Sequence, residues 1–353
     1  LIFYNQSEKA LQFHQTGELS DSPPVLIRSD RQVSTHPFGF MLNTLIHVEH
    51  AMKDSVKTNI PTLRKKKFLS LSEPYLFLLP ALIIFGLFLY YPFLRTIFLS
   101  MFLTNKTGKA KIFVAFTSND NYLTLFKDPS FWSSVAVTFK FVIAVALGGL
   151  LVGLTSSLLT EKKYRGSGFS AAVYAMPIAI ASAAASMAFK MILHPTNGLL
   201  NQLMGTQINF TGDSRYALAS VVGLTIWLTS GINFIFISAG LRNVPGELYD
   251  SASVDGAGYW RKVFSVTLPS ISPTLFFQII INIIGAFQSF SQIKLLTEGG
   301  PGDATNVMVW SIYKDAFRNF RFGAAAARSV ILFLIVMVIT IIQFRFEKKG
   351  VNY

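Results

Sequence analysis

Few residues of this chain are of a type and spacing that could carry covalent chemistry. There is no cysteine, which removes thiolate nucleophiles, disulfides and thiolate metal sites together. Metal binding would fall to histidine and carboxylates. His14, His36, His47 and His50 lie in a polar N-terminal stretch without the i, i+4 spacing of a helical ligand pair, and His194 stands alone, so no metal site is expected. No G-x-x-x-x-G-K-[ST] loop is present, so the chain has no ATP site of that kind. The polar chemistry that remains is concentrated in residues 245–273, PGELYDSASVDGAGYWRKVFSVTLPSISP. Pro245 suits a first helical turn, and Glu247 then favours the helix N-terminus. Leu248 and Ala252 share a face at i, i+4, while Asp250 and Asp255 point elsewhere. Gly256 and Gly258 interrupt the helix, a short amphipathic turn follows over 259–264, and Leu268-Pro269 closes the unit before Pro273. The segment is too amphipathic for a tether and too polar for a membrane span, which makes it a docking element at the membrane face.

The elements that position this segment are apolar. The chain is 51 % hydrophobic and 14 % charged, with a mean hydropathy of +0.46, outside the range of ordinary soluble domains. Six windows approach the roughly 20 apolar residues that cross a hydrocarbon core. They cover 75–101, 132–159, 168–193 with a kink expected at Pro177, 216–241, 274–296 and 323–346. The expected fold is an all-α polytopic membrane protein, six transmembrane helices with the polar loop between the fourth and fifth.

Basic residues set the orientation, because cytoplasmic loops retain Lys and Arg. Arg64, Lys65, Lys66 and Lys67 precede the first window, Lys162, Lys163 and Arg165 follow the second, Arg261 and Lys262 lie in the polar loop, and Lys348 and Lys349 follow the last. A six-span chain puts all of them on one side, so both termini and the polar loop are expected in the cytoplasm. The net charge of +13 is then a topology signal beside lipid headgroups, with no indication of nucleic acid. Residues 1–70 read as a polar, disordered cytoplasmic tail without the apolar core of a signal peptide, and 71–353 as the six-helix domain. Met52 is a candidate natural start within that tail.

None of the six windows contains Asp or Glu, whereas ion-driven carriers commonly bind their coupling ion with such residues. Energy must therefore come from a partner, or transport is passive. Lys140, Lys294 and Arg328 sit toward the outer halves of their spans, where they either attract an anionic solute or snorkel to headgroups, the latter being favoured.

The polar loop resembles that of permease subunits of bacterial binding-protein-dependent ABC importers, whose signature is E-A-A, three residues, Gly, then about nine residues to I-x-L-P. Asp250-Ser251-Ala252 occupies the E-A-A place, Asp255-Gly256-Ala257 supplies D-G-A, and Val266-Thr267-Leu268-Pro269 supplies I-x-L-P. The departures are conservative and keep the helix and its acidic start. The resemblance runs from about Ser72 to the C-terminus. It favours the carbohydrate and glycerol-phosphate branch, through Leu296-Thr297-Glu298-Gly299-Gly300-Pro301-Gly302, Gln343-Phe344-Arg345 and the ending Val351-Asn352-Tyr353.

The resemblance implies a transmembrane subunit of an ATP-driven sugar importer in the bacterial cytoplasmic membrane. Glycerol 3-phosphate or another polyol or phosphate is the alternative cargo, and a stand-alone secondary carrier a more remote reading. A polytopic membrane enzyme would need an interfacial cluster of His and carboxylates that is not visible. The implied partners are a second, non-identical permease, two ATP-binding subunits and an external solute-binding protein. The chain itself would need no cofactor and catalyse nothing, ATP being bound by the partner. Coupling would fall to Glu247, Asp250, Ser251, Ala252, Asp255, Gly256, Leu268 and Pro269, with Asp250, Ala252 and Gly256 foremost. In this family the pathway lies near the membrane midplane, and Thr225, Trp227, Thr229 and Asn233 of the fourth span with Asn282, Gln288 and Gln292 of the fifth carry groups suited to sugar hydroxyls. The same side chains can instead join transmembrane helices to one another.

Overall fold

The computed structural model of the chain describes residues 77–115, 120–161 and 165–350, with backbone alone from 346. The expected tail over 1–70 with its four histidines and Met52, the basic residues Arg64 to Lys67, Lys162 and Lys163, and the ending Val351-Asn352-Tyr353 lie outside the described residues.

In chain order the elements are helix α1 (Phe77–Ser100), strands β1 (Phe102–Thr104) and β2 (Ala110–Phe113), α2 (Asn121–Lys127) and α3 (Pro129–Glu161). Next come α4 (Ser167–Ala179) and α5 (Ser182–Ile192), then α6 (Leu199–Met204), α7 (Ser214–Arg242) and α8 (Gly246–Val254). The rest are α9 (Tyr259–Ser270), α10 (Ser272–Phe287), α11 (Ser291–Leu296), α12 (Met308–Tyr313) with a π-turn Lys314–Arg318, and α13 (Phe322–Gly350). The all-α membrane class expected from composition holds. A two-stranded antiparallel ribbon, with Phe102 opposite Phe113, is added to the connection after α1.

Among the described residues four helices, α1, α3, α7 and α13, are long and apolar enough to cross a membrane singly, and the number rises to six if each of two bent pairs, α4 with α5 and α9 with α10, counts as one span. The windows expected at 168–193 and 274–296 are therefore not continuous helices. The first is α4 and α5, bent by 105°. Pro177 sits in the 3-10 turn that ends α4, and Ile180 and Ala181 are extended, so the chain breaks where a kink was expected. In the second, α10 ends at Phe287 and the chain resumes as α11 at Ser291. Its start also lies two residues earlier than expected, and α9 meets α10 at 70°.

The centre of the fold is the pairing of α3 with α7, against which α10 packs. Gly153 of α3 allows the approach, since a Cβ there would collide with Asn233 of α7. Small residues at such contacts are what membrane helices need, because packing must replace the missing hydrophobic drive. Phe141, Val142 and Val145 of α3, Val221 and Leu224 of α7, and Phe287 of α10 form the main apolar cluster. None of the apolar window of α1 is buried, as suits a helix facing lipid or another subunit.

Arg328 of α13 departs from the snorkelling reading. It is buried, with its Nε 2.7 Å from Asp315 and Nη2 3.3 Å from Asp128, and its guanidinium lies over the Phe131 ring. A buried cation needs such pairing, because desolvation would otherwise outweigh its burial.

Candidate functional site

The polar loop forms a helix, a glycine stop and a second, anchored helix. Pro245 is the N-cap of α8 and not part of its first turn, while Glu247 lies in that turn beside the positive helix end. At the other end Ala257 N–H donates to Ala252 O at 2.9 Å and Gly256 N–H to Ser253 O at 3.0 Å. This paired 6→1 and 5→2 closure demands a left-handed residue, and Gly256 has φ +72°. A Cβ at Gly256 would meet nothing within 4 Å, so the glycine is required here by its backbone conformation and not by crowding within the chain. Gly258 then caps α9.

The second helix fixes the first. Val263 and Ile271 are buried with Leu158 of α3 and with Ile237 and Leu241 of α7, and Leu268 packs against the same cluster. Lys262 Nζ donates to Ser253 Oγ at 2.6 Å, and the Tyr249 and Thr267 hydroxyls lie 3.0 Å apart. These contacts join α8 through α9 to the ends of α3 and α7, and α9 is followed directly by α10. Between α8 and α9 lies a cleft of about 370 Å³, walled by Leu248, Ser251, Ala252 and Asp255 on one side and by Arg261, Val266 and Pro269 on the other. Asp255 therefore shares the face of Leu248 and Ala252, contrary to the expectation that it points elsewhere, because 248, 251, 252 and 255 follow one helical stripe. Glu247 and Asp250 are exposed, whereas Leu268 is half-buried in the anchor. The structure thus brings Ser251, Ala252, Asp255 and Pro269 together and leaves Glu247, Asp250 and Leu268 outside the cleft. Sequence reasoning passed over Val254 and Phe264. With Trp260 they are exposed by 88 %, 63 % and 67 %, too much apolar surface for a polar loop without a partner. The i, i+4 spacing of Trp260 and Phe264, whose rings stack, was the available signal.

The polar residues of the spans divide. Asn233 and Asn282 meet in the buried interface of α7 with α10. Asn282 Nδ2 and Gln278 Nε2 donate to Asn233 Oδ1 at 3.0 and 2.8 Å, and Asn233 Nδ2 donates to Asn282 Oδ1 at 3.2 Å and to Thr229 O at 3.0 Å. Gln278, which sequence reasoning missed, completes this amide cluster. Thr225 is buried and bonded to Val221 O, Thr229 is half-buried, and Trp227 packs on Phe189. Gln288 is exposed at the break after α10, and Gln292 is nearly buried in α11.

The turn after α11 is equally specific. Gly299 has φ +82°, and a Cβ there would collide with the Trp310 indole. Thr305 Oγ1 closes the turn on Gly300 O at 2.8 Å. Residues 68–350 match the family described as the binding-protein-dependent transport system inner membrane component. The chain belongs to that family.

Relatives of this inner membrane component include the sn-glycerol-3-phosphate transport system permease proteins UgpA of Escherichia coli and Agrobacterium fabrum. The first is 34 % identical over 284 residues, covering 79 % of this chain and 95 % of the relative. The second is 33 % identical, covering 79 % and 96 %. The fold is also similar to that of a bacterial ABC transporter involved in the import of the acidic polysaccharide alginate. There the TM-score is 0.70 and the identity 22 %, over 82 % of this chain and 100 % of that one, a likeness of fold alone. The reading as a permease subunit of a binding-protein-dependent ABC importer, and as a multi-pass inner membrane protein, is met. Membership in the permease family implies a solute-binding protein and ATPase subunits as partners.

Proposed function

We propose that the permease forms half of a translocation pathway for a sugar and takes its energy through residues 245–273. The observation that carries this reading is the loop itself, an exposed helix with a cleft and bare apolar side chains, pinned by Val263 and Ile271 to the ends of α3 and α7. A ligand or partner shifts a conformational equilibrium only through contacts that differ between states, and this loop is built to make such contacts. In this account two ATP-binding subunits each hold one α8, one on this chain and one on a second, non-identical permease, and an external binding protein delivers the solute. The bent pair of α4 and α5 counts as one span and α10 as another, giving six, with the loop and both termini in the cytoplasm, and 71–353 is the permease domain. A polyol phosphate such as glycerol 3-phosphate is the second reading of the cargo, favoured by the cargo named for the relatives.

The test is reconstitution of the chain with its ATPase, partner permease and binding protein, with uptake measured across neutral sugars, polyols and glycerol 3-phosphate. ATP-dependent uptake supports the account. Uptake by this chain alone, without an ATPase, would make it a secondary carrier.

A further inference from the structure

The sides of α9 are not equally employed. Along a helix residues four apart share a stripe, which divides α9 into four stripes. Val263, Thr267 and the following Ile271 form the first, buried toward the ends of α3 and α7. Arg261, Ser265 and Pro269 form the second, and Val266 and Ser270 of the third join them in walling the cleft against α8. Lys262, also of the third, reaches Ser253 of α8. The fourth stripe holds Trp260 and Phe264, both exposed, their rings stacked 6.3 Å apart. It lies beside the buried stripe and across the helix from Lys262, so these rings face away from α8.

Two observations set the level of that stripe. With α10 crossing the membrane, the 70° bend between α9 and α10 lays α9 closer to the membrane plane than to its normal. The buried stripe packs on Leu158 and Leu241, in the last turns of α3 (ending at Glu161) and α7 (ending at Arg242), where those spans stop. A helix lying flat at the ends of the spans is at the depth of the lipid headgroups. Tryptophan is enriched at that depth, and interfacial helices bury their apolar face about 5–10 Å into the boundary of headgroups and acyl chains.

We propose that Trp260 and Phe264 are an interfacial anchor, inserted in the cytoplasmic leaflet of the membrane. The bare apolar surface of the loop then serves two partners, lipid at α9 and the ATPase at α8. This rests on the importer reading above for the side of the membrane on which the loop lies.

The chain has no cysteine of its own, so Trp260→Cys, Phe264→Cys and Val254→Cys can each carry a single bimane label. Each variant is assembled into the complete transporter, checked by size exclusion in detergent and reconstituted in vesicles of phosphatidylethanolamine and phosphatidylglycerol. Emission is read with phospholipid bearing a nitroxide at the headgroup or deep in the acyl chain, and with aqueous iodide. Labels at 260 and 264 are expected to lose most of their emission to the headgroup nitroxide, less to the deep one and little to iodide. The label at 254, on α8, is expected to be insensitive to both lipids. Quenching at 260 and 264 by iodide alone puts the rings in water and overturns the proposal. Protection from iodide and from both lipids puts them against a protein subunit and overturns it too. Absence of ATP-dependent uptake of any solute by the wild-type transporter is the distinct result that removes the importer reading itself.

Discussion

Replacing Gly256 separates two reasons for a glycine in the loop. Its φ of +72° lies in the left-handed region, where an L-residue with a Cβ costs roughly 1–2 kcal/mol. No atom within 4 Å would oppose that Cβ, so Gly256→Ala incurs the conformational cost without a steric one. By the Boltzmann relation, 1–2 kcal/mol lowers the closed population of the last α8 turn, relative to its frayed form, by about 5- to 30-fold. The bonds that fray are Ala257 N–H to Ala252 O and Gly256 N–H to Ser253 O. Asparagine tolerates the left-handed region far better than alanine. The expected order of ATP-driven uptake in reconstituted complexes is therefore wild type, then Gly256→Asn, then Gly256→Ala, with the asparagine variant well above the alanine one despite its larger side chain. Hydrogen exchange at the Ala257 amide should rank the variants in the same way. If Gly256→Asn were as poor as Gly256→Ala or poorer, the glycine would be needed for close approach of a partner, and the helix-stop argument would be wrong.

The other predictions concern the frame around the loop. Asp315→Asn removes the buried carboxylate 2.7 Å from Arg328 and leaves Asp128 as its remaining partner, so it should destabilise more than Asp128→Asn, which at a half-exposed carboxylate should cost about 1 kcal/mol or less. Thermal unfolding in detergent ranks the two, and equal losses would refute the assignment of Asp315 as the main partner. Asn233→Leu leaves the Gln278 and Asn282 amides without their shared acceptor and should cost about 1–2 kcal/mol; an unchanged unfolding temperature would remove the amide cluster from the packing account. For Glu298 the folded-state pKa is depressed by Arg318, so its stabilisation is present above the unfolded-state value and is lost as pH falls through the folded one. Arg318→Gln should flatten the acid limb of stability against pH in that window, and an unaltered limb would show that the pair contributes nothing.

Much of the frame was legible because membrane helices announce themselves by length and polarity. The windows at 132–159 and 216–241 correspond to α3 and α7, which are long and apolar enough on average to cross a membrane. The breaks were hidden for a physical reason. Hydropathy reports which residues tolerate lipid and is silent on helix continuity, so Ile180 and Ala181, both apolar, gave no sign of the extended backbone that turns the chain by 105°. Pro177 was the one visible signal. In the loop, Gly256 is the helix stop that its type indicates, whereas Asp255 shares the face of Leu248 because its i+7 spacing places it there whatever its charge. The amide cluster shows the limit of residue type as a guide. Asn233 and Asn282 could serve a solute or a helix contact equally, and only their bonds to each other and to Gln278 reveal how those groups are engaged in this conformation.

If ATP-driven work enters through α8, site-directed crosslinking tests it most directly. Cysteines placed at Val254 and at Ala252, in a chain that has none of its own, are crosslinked in the assembled complex with and without ATP. Adducts with the ATPase subunit are predicted at both positions, with yields that change when ATP is bound. Efficient assembly and ATP-dependent uptake with no ATPase adduct at either position would contradict entry of energy through this helix.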